Sequence, residues 1–303
     1  MFRKVKKVKD RGRSFVLALG GGGARGLAHI GVLKELERGN FIPSAIAGTS
    51  MGAVVGAMYA YYQDAFEVEE LFKKFFGSQF HEKFGKQFFL LSDESMLLEK
   101  PAKLAQRLGK GVMYLKAVST GSVFKHRVLE ETISFLVPDV TFEQLRIPFA
   151  CVAANLLSGE EVIFRSGRLI PALVASSAIP GIVDPVNIDG MLLVDGSATS
   201  IVPVDAALQF ERGEVVAVDV SMDLKCTNGF RGNAIEVAVR ASELTNYYLN
   251  QTRLSKASVV IHPRLGRTSW SNFGHMDEIV SMGEKAAKKK IPEIAQLIAY
   301  GYK

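Results

Sequence analysis

The sequence predicts an α/β protein with a mostly parallel sheet covered by helices on both faces, and three observations carry that expectation. Short apolar runs rich in β-branched residues recur between turn residues, helical periodicities separate several of them, and two glycine-rich turns each follow a strand and precede a helix. In chain order the strands are SFVLALG from Ser14, SAIAG from Ser44, IPFACVAAN from Ile147, EVIF from Glu161, MLLVDG from Met191, EVVAVDVS from Glu214 and ASVVIHP from Ala257. The helices include Leu27 to Arg38, with Ile30, Leu33 and Leu36 on one face, and Gly52 to Tyr62. Alternation of strand and helix calls for crossover connections, which cover a parallel sheet on both sides. In such sheets ligands collect at the carboxyl ends of the strands, where both glycine-rich turns fall.

The chain has 303 residues, 48% of them apolar, which suits one enzyme-sized unit. Its formal charge of +6 is concentrated in Met1 to Arg13. That stretch holds seven of the 37 Lys and Arg and one of the 31 Asp and Glu, so the remainder balances at 30 of each sign. A balanced body sets up no field for nucleic acid, and no nucleic-acid partner is expected. Residues 1–13 read as a basic disordered tail, able to touch anionic lipid at about 1 kcal/mol per cationic side chain, and residues 14–303 as one domain.

The apolar run after the tail ends at Leu19, short of the roughly 7 to 15 residues of an export signal. The uncharged stretch Ala45 to Tyr62 carries the glycines and hydroxyls of a strand, turn and helix rather than a membrane span. Two cysteines, Cys151 and Cys226, make no disulfide framework, and Cys151 lies in an apolar run, so a cytoplasmic location is expected. Residues 61–135 differ in composition: Phe66, Phe72, Phe75, Phe76, Phe80, Phe84, Phe88 and Phe89 mix with Lys73, Lys74, Lys83 and Lys86. Such an amphipathic stretch fits either a helical layer packing Phe into the core or a helical cap offering a lipid-compatible surface over the site.

The turn GGGGARG, from Gly20 to Gly26, is a natural oxyanion or phosphate cradle, and the residues around it decide which. A P-loop needs Lys and Ser or Thr after its last glycine, where this chain has Leu27 and Ala28. A dinucleotide fingerprint is matched formally by Gly21, Gly23 and Gly26, but the acidic residue expected about 20 positions on is replaced by SAIAG.

The turn GTSMG, from Gly48 to Gly52, fits the strand-to-helix elbow that lifts a serine onto a tight turn, making Ser50 the candidate nucleophile. The Met51 amide and the helix N-terminus behind it favour developing negative charge, and the amides of Gly22 and Gly23 can approach an oxyanion with no side chain in the way. A serine needs a base. Asp195 ends the strand MLLVDG, where Leu192, Leu193 and Val194 would raise its pKa by desolvation, and Asp219 is placed similarly in VAVDVS; pattern alone does not choose between them. His262, closing SVVIHP, completes a Ser, Asp, His order, but only one clear strand precedes the elbow, unlike the α/β-hydrolase arrangement.

Together GGGGARG, GTSMG and DGS, in that order and in these strand contexts, resemble the patatin-like phospholipase family from about Phe15 to Val204, with SSAIPG at Ser176 to Gly181 and Pro203 adding to the likeness. The resemblance implies a three-layer α/β/α fold, a catalytic dyad of Ser50 and Asp195 without histidine, and an oxyanion hole at Gly22 and Gly23 supported by Arg25. Gly21, Ala24 and Gly26 complete the first motif, Gly48 and Gly52 the second, and Gly196 and Ser197 the third. It implies no metal or other cofactor, and substrates among phospholipids, lysophospholipids or simple esters. The family usually has Gly or Ala after Asp-Gly, where this chain has Ser197. An acyltransferase of related fold and a lipid-binding module without activity are the competing expectations.

Overall fold

Phe15, Leu17 and Leu19 of the first strand enter one hydrophobic cluster and Val16 and Ala18 another, so the strand is buried on both faces. The computed structural model describes residues 14–78, 122–222, 234–266 and 268–300. Its eight strands are β1 (Phe15–Leu19), β2 (Ala45–Thr49), β3 (Phe149–Asn155), β4 (Glu161–Phe164), β5 (Val186–Ile188), β6 (Met191–Asp195), β7 (Glu214–Val218) and β8 (Val259–Ile261). They form one sheet in the order β5-β6-β3-β2-β1-β7-β8, with β4 also paired to β3. From β3 through β8 the neighbours are parallel, as the sequence predicts, whereas β4, β5 and β6 pair antiparallel.

Strand β5 is absent from the sequence expectation because it is only three residues long, yet a local signal marks it. Asp189 and Gly190 link it to β6 with φ of 51° and 79°, the left-handed pair that a two-residue hairpin turn requires.

The helices are α1 (Ala28–Arg38), α2 (Met51–Tyr62), α3 (Ala65–Phe76), α4 (His126–Leu136), α5 (Leu169–Ser176), α6 (Val204–Leu208), α7 (Ala234–Leu254) and α8 (Met276–Tyr300). The larger cluster joins α1 to α5 and α8 to one face of the sheet; the smaller packs α6 and the end of α7 on the other, giving three layers. The stretch Ala45 to Tyr62 is the expected strand, turn and helix, and no helix among the described residues is long and apolar enough to cross a membrane.

Helix α1 is buried more completely than its single apolar face predicts, because α3 and α8 cover its remaining sides. Its Lys34 is held between Glu69 of α3 and Glu284 of α8, each at 2.8 Å. The α1–α8 crossing is close enough to exclude side chains: a Cβ on Gly31 would lie 1.9 Å from the Val280 carbonyl, and one on Gly283 would lie 2.0 Å from that of Ala28. Within the Phe-rich stretch, Phe72 and Phe75 join the core, while Phe66 is 46% exposed and lies beneath Lys34. Phe80, Phe84, Phe88 and Phe89 lie outside the described residues, as do the basic tail and Cys226.

Gly31→Ala and Gly283→Ala are each expected to force the two helices apart and lower stability by about 1–3 kcal/mol. Urea midpoints measure this; unchanged midpoints would mean that the crossing is looser than described.

Candidate active site

The turn from β2 into α2 leaves Ser50 at φ 54° and ψ −126°, backbone space sparsely occupied by residues with a side chain. Its flanking glycines allow the turn to be this tight. A Cβ on Gly48 would meet the Ala53 Cα at 2.5 Å, and one on Gly52 would lie 2.3 Å from the Leu19 carbonyl. The Ser50 carbonyl accepts the first helical bonds, from the Ala53 and Val54 amides at 2.8 and 3.1 Å, and its own amide donates to the Ser176 Oγ at 3.1 Å. Ser176 lies in the quoted SSAIPG stretch, but nothing local to that stretch indicates that it holds the elbow.

Sheet register explains how Asp195 arrives. β2 and β4 both pair with Cys151 and Val152, so they occupy opposite edges of β3; β4 and β6 both pair with Ala153 and Ala154, so they are opposed as well. Strand β6 therefore shares the edge of β2 and meets it end to end. Thr49 pairs with Val152 and Asp195 with Ala153, the next position along. The join is tight, because a Cβ on Gly196 would lie 2.2 Å from the Val152 carbonyl and 3.2 Å from the Thr49 Cγ2.

Asp195 is 1% exposed, and its backbone amide donates to the Ala178 carbonyl at 2.9 Å. Its carboxylate accepts the Ser197 amide at 2.8 Å, and the hydroxyls of Ser50 and Ser197 stand close enough to favour its ionised form. Burial is the dominant influence and pushes the carboxyl above its ordinary pKa, against the hydrogen bonds of Ser50 and Ser197, which favour the ionised form. The hydroxyl that distinguishes Ser197 from the usual Gly or Ala thus adds to the influences that favour the ionised carboxylate.

Asp219, the other carboxylate that the pattern admits, is engaged elsewhere. It too is buried, which pushes its pKa up, but hydrogen bonds from His262 and Ser221 outweigh burial and hold it below the ordinary value. The His262 Nδ1 is 3.4 Å from its Oδ2, and the Ser221 amide is 3.0 Å from its Oδ1. His262 follows β8, three strands from β2 and roughly 14 Å across the sheet at ordinary strand spacing. The structure therefore brings Asp195, not Asp219 or His262, to Ser50.

The glycine loop lies against the elbow, since a Cβ on Gly21 would sit 3.2 Å from the Ser50 Cβ and one on Gly26 would sit 2.4 Å from the Met51 Cγ. The Gly20 amide donates to Val218 at 3.0 Å, Gly21 to Ile201 at 2.9 Å and Ala24 to Trp270 at 2.6 Å, all backbone carbonyls. Gly23 has φ 56°, and a Cβ there would lie 2.3 Å from the Trp270 carbonyl, so glycine is required. The Arg25 Nε and amide both donate to the Gly22 carbonyl, at 3.3 and 3.2 Å. Buried His29 donates from Nε2 to the Gly20 carbonyl at 2.7 Å, and burial pulls its pKa down to about 4. The amides of Gly22, Gly23 and Met51 donate to no acceptor among the described residues. Trp270 gave no signal in the sequence because a backbone carbonyl carries no residue signature.

With this geometry in place, comparison with known proteins assigns the family. The chain belongs to the patatin-like phospholipase family, whose model matches residues 17–208. An uncharacterised NTE family protein of Mycobacterium tuberculosis is 26% identical over 310 residues, covering 95% of this chain and 48% of that protein. Lysophospholipase NTE1 of Kluyveromyces lactis is 28% identical over 296 residues, covering 90% of this chain and 19% of that protein. The chain thus spans about half the length of the mycobacterial relative and a smaller share of the fungal one. Among solved structures, VipD from Legionella pneumophila aligns with a TM-score of 0.52 at 14% identity, over 93% of this chain and 67% of that one, a likeness of fold.

The raised pKa of Asp195 has a stability consequence with a definite sign. A carboxyl whose folded pKa lies above its unfolded value favours the fold while protonated, and that contribution is lost as pH rises through the folded pKa. Asp195→Asn is therefore expected to match or exceed the wild-type melting temperature at neutral pH. The gap should close as pH falls towards the unfolded value of about 3.9; a neutral-pH loss of stability would contradict the desolvated site.

Proposed function

We propose that this chain is a serine lipid acyl hydrolase of the phospholipase A, lysophospholipase or esterase type, acting through an acyl-enzyme on Ser50 with Asp195 as its base. The observation that carries the proposal is the delivery of a buried carboxylate to the Ser50 elbow by the register of β2 and β6 on β3, beside loop amides with no acceptor of their own among the described residues. The substrate class follows the family, and the fungal relative described as a lysophospholipase supports it.

In this reading Asp195 accepts the Ser50 proton as Oγ bonds to the ester carbonyl carbon. The carbonyl oxygen takes the negative charge and is received by the amides of Gly22, Gly23 and Met51, with the α2 N-terminus behind them. Collapse breaks the bond to the alcohol or lysolipid, which leaves with the proton that Asp195 held. Water then attacks the acyl-enzyme, giving its proton to Asp195; the acid departs, and Ser50 recovers its hydrogen. A carboxylate raised by burial is a stronger base than an exposed one, which suits a dyad lacking histidine. The scheme uses no metal or cofactor. Contact with a lipid surface through residues 1–13 and the Phe-rich stretch, with part of 61–135 as a cap, belongs to the same reading, as does a cytoplasmic location.

A fluorophosphonate probe is expected to label Ser50, and Ser50→Ala to abolish both labelling and hydrolysis of a short-chain nitrophenyl ester. Asp195→Asn should lower kcat by on the order of 10⁴-fold. Labelling that persists in Ser50→Ala, or turnover that survives Asp195→Asn, would overturn the dyad.

A further inference from the structure

Asp219 and His262 have the residue types of a catalytic pair but stand away from Ser50, and their surroundings give them a different task. Asp219 follows β7, and its side chain forms an Asx turn over Asp219–Ser221. Its amide donates to the Ile261 carbonyl at 3.0 Å, its Oδ1 accepts the Ser221 amide at 3.0 Å, and its Oδ2 faces the His262 Nδ1 at 3.4 Å. The carboxylate thus closes the turn from within and ties it to the end of β8.

The glycine loop rests on this turn. The Gly20 amide donates to the Val218 carbonyl at 3.0 Å, and a Cβ on Gly22 would lie 2.9 Å from the Val220 Cγ2 and 3.3 Å from the Val220 carbonyl. Asp219 also lies close enough to Arg25 for its charge to favour the guanidinium, whose Nε holds the Gly22 carbonyl. In a trans peptide the carbonyl oxygen and the following N–H point to opposite sides. Holding the Gly22 oxygen, on a residue packed against Val220, therefore fixes the direction of the Gly23 N–H.

We propose that Asp219 and His262 are positioning residues for the oxyanion loop: the pair braces the Asp219–Ser221 segment after β7 and so sets the orientation of the Gly22–Gly23 peptide. This inference rests on the proposed role of those loop amides. It separates the two carboxylates by function, Asp195 acting on the serine proton and Asp219 acting through the loop.

Because loop amides contribute in the transition state, a displaced loop lowers kcat more than it alters KM. His262→Ala and Asp219→Ala in the full chain are each expected to lower kcat on a nitrophenyl ester about 10- to 100-fold, with KM within about twofold. Fluorophosphonate labelling of Ser50 should slow in proportion. His262→Asn sets an amide Nδ2 where the Nδ1 donor stood and is expected to restore kcat to within about threefold; it also carries the test should Asp219→Ala fold poorly.

Wild-type kcat in the two alanine variants would overturn the brace, as would a loss confined to KM. A loss on the order of 10⁴-fold in His262→Ala that Asn does not rescue would also overturn it and make His262 the base. The parent reading fails separately, through turnover by Ser50→Ala.

Discussion

The backbone of Ser50 is the constraint on which the rest of the site depends. A residue with a side chain held at φ 54° and ψ −126° costs about 1–3 kcal/mol and persists only where packing dictates it. Here the packing is backbone against backbone. Gly48 is pressed against Ala53, and Gly52 against the carbonyls of Leu19 and Gly20. The elbow and the root of the glycine loop are therefore one packed unit, and the adjacent parallel strands β1 and β2 fix their relative height.

Around that unit, two buried strand-end aspartates shift in opposite directions. Asp195 has only hydroxyls and an amide to stabilise its charge, so burial dominates and its pKa rises. Asp219 has a histidine as well, and its pKa falls. The imidazole beside Asp219, which Asp195 lacks, separates the directions in which the two carboxyls shift.

The glycine loop is assembled from distant parts of the chain. Val218, Ile201 and Trp270 supply carbonyls to its amides, while His29 and Arg25 hold its own carbonyls. Helix α8 reaches the same region by crossing α1 at Gly31 and Gly283. A loop of four glycines has little conformational preference of its own, and these contacts replace that preference.

The parts governed by short-range geometry were legible from residue spacing: the elbow, the glycine loop and the buried strands each depend on a few consecutive residues. The Asp189–Gly190 hairpin went unread, because its first strand is only three residues long, although the Asp-Gly pair is a local signal for it. Spacing did not choose between Asp195 and Asp219, because both end an apolar strand followed by a turn. Tertiary structure made that choice. β6 runs antiparallel on the same edge of β3 as β2 and delivers Asp195 to Ser50, whereas β7 lies beyond β1 and delivers Asp219 to His262. Strand order is set by packing of the whole chain, and so the sequence by itself determined the serine and its loop, while only the sheet decided which carboxylate meets them.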